Sequence, residues 1–324
     1  MINMSNNLDN TDKRILFELE KNARITDSAL AKIVKKSKDS VRYRIKKLEE
    51  EKIITGYRTW IDYSKVGYRT STIYLNLINL PEKREKLIEE IKKDKRVYWM
   101  GVAEGVWNIG ISYFIKSNQD LFEIKSELLS KYKDLIVDSR ITSLASVSTH
   151  EKIFLAKEKS SFITFTETIE NYELDDVEKK ILKELYNDSK INLSELAFKT
   201  KSTIDIVRSR MKKLEKLGII IRYTIYLDYR KIGYELYKTF IYLGSYNKEE
   251  IEEVLKYAEK SDKIINIVKQ IAPWDFEFII FAKSFEEYIN TIKELTKTNP
   301  KIFKKFETSI MSEDIIFPCK EVYF

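Results

Sequence analysis

Residues 41–50 read VRYRIKKLEE, and 166 positions later residues 207–216 read VRSRMKKLEK. In the first stretch Val41, Ile45 and Leu48 recur at the spacing that places apolar side chains on one face of an α-helix. Arginine and lysine fill most positions between them, so the outward face of each helix is basic. An amphipathic basic helix therefore occurs twice in this chain of 324 residues.

The duplication extends well beyond this helix. With the offset held at 166 residues from Leu8 to Tyr68, 28 of the 61 aligned pairs are identical. Two unrelated segments would share only a handful of identities. The chain therefore carries an internal repeat, which sets its organisation.

Each repeat is predicted to open with a helix-turn-helix unit. Asp9 is a favourable N-cap with Asp12 three residues later, and Asp175 and Glu178 repeat this pair. A second helix is expected from near Thr26, a short polar turn follows, and the basic third helix is predicted over residues 38–51. The alternating stretch after it, residues 57–61, is typical of a strand pair or wing.

The second part of each repeat changes to strand periodicity. The predicted order of elements is βαββαβ, which is the ferredoxin-like split-βαβ sandwich. We therefore expect an α+β fold made of two tandem copies of a winged helix-turn-helix followed by this sandwich. The expected boundaries are 1–62 and 63–145 for the first copy, 146–172 for a connector, and 173–228 and 229–324 for the second copy. The connector looks extended at 152–156 and 162–166, and it is either a linker or an additional strand.

Composition limits the class of protein. The net charge is +7 with a pI near 9.0, which is compatible with a polyanionic partner only if the positive charge is concentrated. One cysteine, Cys319, excludes an internal disulfide. The N-terminus lacks the pattern of a signal peptide, and the longest apolar runs are too short to span a bilayer. We expect a soluble cytoplasmic protein with no membrane partner.

The basic face of the third helix indicates DNA binding. A charged stripe on one helix is usually only a solvated surface, but this one recurs at the same offset after a matching helix and turn. A basic helix held in this way has the geometry that enters a major groove, where lysine and arginine neutralise phosphates. The repetition favours double-stranded DNA as the partner.

Both halves resemble the Lrp/AsnC (feast/famine) transcription regulators. The resemblance rests on Leu-Asp, Asp-Lys-x-Ile-Leu, Leu-Ala, Ser-Val-Arg-x-Arg-Ile-Lys-Lys-Leu-Glu, Ile-Ile-x-Gly-Tyr and a later Gly-Tyr, and it is specific in 8–68 and 174–234 and looser beyond. It implies a winged helix-turn-helix joined by a strand to a ligand-sensing sandwich. Ordinary members dimerise through that strand and sandwich, so this chain resembles a covalently linked pseudo-dimer, with further homo-oligomerisation left open.

The resemblance also implies DNA-contacting positions. Arg44 and Arg210 match a common arginine of the family that we expect to be partly structural. Ile204 and Ile206 replace Lys38 and Ser40 on the outward face of the second copy, so the two halves are not expected to be equivalent. The candidate DNA-binding residues are Lys38, Ser40, Arg42, Tyr43, Lys46, Lys47 and Arg58 in the first copy and Thr203, Arg208, Ser209, Lys212 and Arg222 in the second.

Members of this family sense amino acids near the turn between the second and third sandwich strands. Here one of its glycines is missing and an asparagine replaces an aspartate, which weakens the expectation of an amino acid effector. The two tryptophans of these turns are more often packing residues. The candidate effector-binding residues are Glu104, Gly105, Trp107, Asn108, Trp274 and Asp275.

Enzyme functions find little support in the sequence. His150 is the single histidine, so no histidine-based metal cluster or acid–base pair can be assembled, and we expect no catalytic residue, metal or cofactor. The serious alternative is a siroheme decarboxylase-like enzyme of the haem pathway, a class that resembles Lrp/AsnC proteins and would need several His and Arg residues. A third reading is a regulator that has lost DNA readout and binds small molecules.

Overall fold

The computed structural model describes residues 8–150, 155, 163–244 and 247–317. The two repeats contain corresponding elements in the same order. In chain order these are α1 (Asn10–Lys21), α2 (Asp27–Val34), α3 (Lys38–Glu50), β1 (Ile54–Ile61), β2 (Arg69–Leu77), α4 (Pro81–Lys93), β3 (Val97–Gly105), β4 (Ile109–Ile115), α5 (Asn118–Lys131), β5 (Ile136–Thr149), β6 (Ile163–Thr166), α6 (Asp176–Asn187), α7 (Leu193–Thr200), α8 (Ile204–Lys216), β7 (Ile220–Leu227), β8 (Glu235–Leu243), α9 (Lys248–Lys260), β9 (Ile264–Ile271), β10 (Phe276–Ala282), α10 (Phe285–Thr298) and β11 (Phe303–Ile316), with a short 3-10 turn at Tyr63–Lys65.

The predicted helix-turn-helix units are confirmed. Asp9 caps α1 by accepting a hydrogen bond from the Asp12 amide at 2.8 Å, and Asp175 caps α6 in the same way. The apolar positions of α3 are buried in the core of the first unit, as are their counterparts in α8. Ile33 of α2, which its periodicity places inside, is instead 40% exposed.

The strand after each third helix does not form a wing within its own repeat. β1 and β7 pair with each other in an antiparallel two-stranded ribbon, in which Arg58 lies opposite Thr224 and Trp60 opposite Arg222. The prediction of a local strand pair is therefore corrected. Side chains of β7 also complete the core of the first helix-turn-helix unit, so the ribbon joins the two units.

The remaining strands form a closed ring. The order is β2-β4-β3-β11-β8-β10-β9-β5, and β5 pairs back to β2. β6 pairs antiparallel with the end of β5, so this part of the connector is an additional strand. The extended stretch expected at 152–156 lies largely outside the described residues.

The long strands β5 and β11 link the two sandwiches. The first half of β5 pairs with β2 of its own repeat, whereas its second half pairs with β9 of the other. β11 is shared in the same way between β8 and β3. This reciprocal exchange confirms the expected pseudo-dimer within one chain.

Helices cover the outer face of the ring. α4 and α5 pack on the first sandwich and α9 and α10 on the second, over two separate apolar cores. The inner faces of the strands carry a third cluster in which Tyr74 and Trp107 meet Phe240 and Trp274. None of the helices in the described ranges is long and apolar enough to cross a membrane.

Candidate nucleic-acid interface

The outward face of α3 is open and basic. Ser37 caps the helix by accepting a hydrogen bond from the Ser40 amide at 3.2 Å, and Val41, Ile45 and Leu48 fix its inner face against the core. Tyr43 is 69% exposed. The structure brings together, on this outward side, Lys38, Arg42, Tyr43, Lys46 and Lys47, with Ser40 half-buried beside them.

The outward cations Arg42 and Lys46 pair with acidic side chains at the surface. Arg42 donates from Nε to Oδ2 of Asp27 at 2.6 Å, and Lys46 lies 3.6 Å from Glu50. Exposed pairs of this kind contribute little to stability, so a phosphate can replace the carboxylate at small cost. The face is therefore able to exchange these contacts for a polyanion.

Arg44 has a different role from its neighbours. Its Nη1 donates to Asp9 at 2.8 Å and to Asp12 at 2.7 Å, and these hydrogen bonds raise the pKa of Arg44. Burial acts to raise the pKa of Asp9, but the Asp12 amide and Arg44 together hold it below its ordinary value. Arg210 pairs with Asp175 at 2.9 Å in the second repeat. Both arginines therefore tie the third helix to the first, which is the expected structural role.

The outward face of α8 is less basic. Arg208 is bound to Asp205 at 2.6 Å, Ser209 and Lys212 are exposed, and Thr203 uses its hydroxyl to cap the helix. Ile204 and Ile206 are 39% and 47% exposed, as expected from the sequence.

An exposed aromatic side chain of α7 was not predicted from the sequence. Phe198 is 83% exposed in this helix, which precedes α8 in the second helix-turn-helix unit. The signal was present at the repeat offset, where Lys32 of the first copy aligns with Phe198. The second unit thus exposes three large apolar side chains on α7 and α8.

Arg58 and Arg222 do not lie with the third helices. Both project from the ribbon into the interior of the molecule, where Arg58 stands over the ring of Tyr226 at 5.8 Å and Arg222 over Trp60 at 4.5 Å. Nη1 of Arg58 donates to the carbonyl oxygen of Asn187. Residues paired across an antiparallel ribbon share one face, so Arg58 and Arg222 lie on the same face as Thr224 and Trp60, and this face is turned toward the ring. This placement does not support their expected phosphate contacts.

The candidate effector residues mostly stabilise the turns that contain them. Oδ1 of Asn108 accepts a hydrogen bond from the Leu77 amide at 2.8 Å, and Oδ2 of Asp275 accepts one from the Leu243 amide at 2.7 Å. The exposed carboxylate of Glu104 pairs with Arg84, and Gly105 has a φ of +140° where a Cβ would lie 2.4 Å from the Thr308 carbonyl oxygen.

The two turn tryptophans fill the space between the sandwiches. Trp107 and Trp274 are buried, and each ring packs on Tyr74 with centroid separations of 5.1 and 5.5 Å. The space left beside them measures about 10 Å³, enough for one water molecule. This space beside the two rings is too small for an amino acid.

No group of three or more His, Cys, Asp or Glu side chains in the described ranges is arranged to hold a metal ion. His150 is buried at the end of β5, with Nε2 at 3.2 Å from the carbonyl oxygen of Ser261.

Comparison with known proteins assigns both helix-turn-helix units. A family model described as winged helix-turn-helix DNA-binding matches residues 8–55 and 174–221. The HTH-type transcriptional regulator LrpA of Pyrococcus abyssi is 36% identical over 124 residues, which cover 38% of this chain and 87% of that protein. An uncharacterised HTH-type transcriptional regulator of Pyrococcus furiosus is 30% identical over 140 residues, covering 40% and 90%. Each relative thus corresponds to about one repeat.

The likeness to a solved structure can extend over the whole chain. The crystal structure of the siroheme decarboxylase NirDL superimposes with a TM-score of 0.65 at 15% identity, covering 97% of this chain and 96% of that one. At this identity the likeness concerns the fold, and it places the same two-repeat architecture in another single chain.

Proposed function

We propose, on the premise that this chain belongs to the Lrp/AsnC family of transcription regulators, that it binds specific double-stranded DNA sequences as a pseudo-dimer in one chain. The observation that carries this proposal is the outward face of α3. Its inner face is fixed by buried apolar residues, its first turn by the Ser37 cap and its middle by Arg44, so the exposed cations form a rigid basic surface.

The expected contacts divide into two kinds. Lys46 and Lys47 supply charge for phosphate oxygens, which positions the protein without reading sequence. Ser40, Arg42 and Tyr43 lie nearer the start of α3, the part of a recognition helix that reaches base edges. Arg42 can present its guanidinium to a guanine once it leaves Asp27.

The two third helices are proposed to address adjacent major grooves on one face of the duplex, about one helical turn apart. The ribbon of β1 and β7 supports this arrangement, because it joins the two units by main-chain pairing. The second helix contributes less, since Ile204 and Ile206 occupy outward positions where the first copy has Lys38 and Ser40.

We propose that the chain is not an enzyme. The siroheme decarboxylase alternative rests on fold likeness at 15% identity. Its chemistry would call on histidine, and His150 is engaged with the main chain at the end of β5. An assay for release of CO2 from siroheme discriminates between the two functions, because binding alone would not.

Salt-dependent binding to duplex DNA tests the proposal. Replacing Arg42 and Lys46 with alanine should weaken binding to all duplexes and flatten the plot of log K against log salt by about 0.9 for each lost phosphate contact. A Lys256→Ala, Lys293→Ala variant is the matched control, because it removes two exposed positive charges from α9 and α10 of the sandwich. Equal affinity and slope for the Arg42, Lys46 variant and the parent would overturn the assignment of α3.

A further inference from the structure

We propose a second site, beyond DNA binding: the space between the ribbon and the ring binds a multi-ring conjugated carboxylate. This interior space, called the central cavity below, has a volume of about 710 Å³. Cavities of roughly 300–1,000 Å³ are the size range of small-molecule sites. The central cavity is therefore large enough for a flat ligand of several fused or linked rings.

The fold creates the cavity through strand alternation. Thr70, Thr72 and Tyr74 of β2 point into the ring, while Ile73 and Leu75 between them pack under the outer helices. All eight ring strands contribute such inward residues. The ribbon closes one side because the face that carries Arg58, Trp60, Arg222, Thr224 and Tyr226 is turned toward the ring.

Aromatic side chains form much of the wall. Trp99 donates from Nε1 to Oδ1 of Asp314 at 2.7 Å, and Tyr229 donates to Oδ2 of the same carboxylate at 2.9 Å, so both rings are held in fixed orientations. Trp60, Tyr98 and Tyr226 also line the space. Fixed aromatic faces favour a flat conjugated ligand, because stacked or edge-on contacts with such a ring are favourable beyond the area they bury.

Arg58 supplies the recognition of a carboxylate. Its Nη1 is used by the Asn187 carbonyl oxygen, but Nε is buried without a hydrogen-bond partner among the described residues. Buried polar groups in native proteins normally have partners, and an unpaired guanidinium N–H points to an acceptor that the protein does not supply. A ligand carboxylate at the ribbon would satisfy it.

One acidic group of the cavity lining, Glu277, is already engaged by donors of the protein. Glu277 accepts from Tyr74 at 2.8 Å and from Gln270 at 2.9 Å, and it pairs with Lys238 at 2.8 Å. Lys238 and Glu277 therefore line the cavity as an ion pair whose two charges cancel. The acidic and basic residues of the lining are Glu20, Arg58, Arg222, Asp228, Arg230, Lys238, Glu277, Glu313 and Asp314.

Energy transfer from tryptophan to a pyrene probe tests the site. Trp60 and Trp99 lie in the wall, so a pyrene in the cavity should quench their emission in a saturable one-to-one titration. The probes are pyrene-1-carboxylate and its neutral counterpart pyrene-1-carboxamide. Arg58→Gln should weaken binding of the carboxylate about 10-fold or more, as expected for loss of a charge-assisted hydrogen bond, and leave binding of the carboxamide within about 3-fold.

Three further variants make the result specific. Arg58→Lys should bind the carboxylate better than Arg58→Gln, because it restores the charge. Val268→Phe, which adds bulk to the cavity lining, should weaken both probes. Arg42→Gln removes an exposed arginine of α3 and should change neither.

Two outcomes would overturn the site. One is an absence of saturable binding of either probe to the parent up to millimolar concentration. The other is an Arg58→Gln variant that unfolds cooperatively like the parent and retains the affinity of the parent for the carboxylate. Neither outcome bears on DNA binding by α3, which is measured separately with duplex DNA.

Discussion

Arg140 and Glu307 occupy equivalent positions in the two repeats, each the fifth residue of its long strand, and they form an ion pair with 2.9 Å between Nη1 and Oε2. Equivalent residues that touch each other lie near the pseudo-two-fold axis. In a symmetric dimer of single-repeat chains a residue at this position meets a copy of itself, so a charge would face a like charge. Duplication within one chain has removed this constraint and allowed a complementary pair.

This pair should make stability depend on acid pH. Burial acts to raise the pKa of Glu307, but hydrogen bonds from Lys305, Tyr242 and Arg140 outweigh it and lower the pKa to about 2. A carboxylate whose folded pKa lies below the unfolded value of about 4.3 stabilises the fold above that unfolded value and loses the effect as pH falls toward the folded pKa. Glu307→Gln should therefore cost about 1–2 kcal/mol of unfolding free energy at pH 7 and almost nothing near pH 2.

Urea unfolding at several pH values measures this dependence. Asp138→Asn is the matched control, because Asp138 pairs with the same arginine at 3.3 Å but has a half-exposed side chain. Its cost should stay below about 0.5 kcal/mol at every pH. A Glu307→Gln variant that is equally destabilised at pH 7 and at pH 2 would show that the ionised form contributes nothing.

The two third helices should differ in their contribution to DNA affinity. Arg42 has Lys38 and Ser40 on the preceding turn, whereas the equivalent positions before Arg208 are the exposed Ile204 and Ile206. Arg42→Ala should therefore weaken binding to a cognate duplex more than Arg208→Ala does, in competition gel shifts at fixed salt. An equal or larger loss for Arg208→Ala would contradict the asymmetry.

Restoring the residues of the first copy should strengthen the second helix. Ile204→Lys with Ile206→Ser reproduces the outward positions of Lys38 and Ser40, and both isoleucines are exposed, so the core is not disturbed. One added cation in reach of a phosphate should steepen the salt slope by about 0.9. Ile204→Ser with Ile206→Ser, which removes the apolar groups without adding charge, is the control. A slope that is unchanged in the lysine variant would mean that α8 does not approach the DNA backbone.

Local features of this fold could be predicted from the sequence, whereas pairings between repeats could not. The helices of both helix-turn-helix units follow from caps such as Asp9 and from i, i+4, i+7 burial, which depend only on neighbouring residues. Strand periodicity also predicted the βαββαβ order of both sandwiches. Alternation does not identify which strand pairs with which. The sequence therefore predicts a local wing at residues 57–61, although β1 pairs with β7.

The full lengths of β5 and β11 could not be predicted from the sequence either. β5 continues to Thr149 and β11 to Ile316, because their second halves pair with strands of the other repeat, and periodicity within one repeat does not show this. Arg58 illustrates the consequence for the site. A basic residue after α3 suggests a phosphate contact, but its direction is set by the register of the ribbon, and this turns it into the central cavity.

The buried pair Lys238 and Glu277 should stabilise the ring only as a unit. Both side chains are less than 10% exposed, and the first repeat has Thr72 and Gly110 at the equivalent positions, so repetition gave no sign of the pair. Lys238→Met leaves Glu277 buried with neutral donors alone and should cost about 3–5 kcal/mol. The double variant Lys238→Met, Glu277→Gln removes both charges and should recover part of that loss. Guanidinium unfolding of the parent, both single variants and the double variant gives the coupling energy, and additive losses would show that the two charges do not stabilise each other.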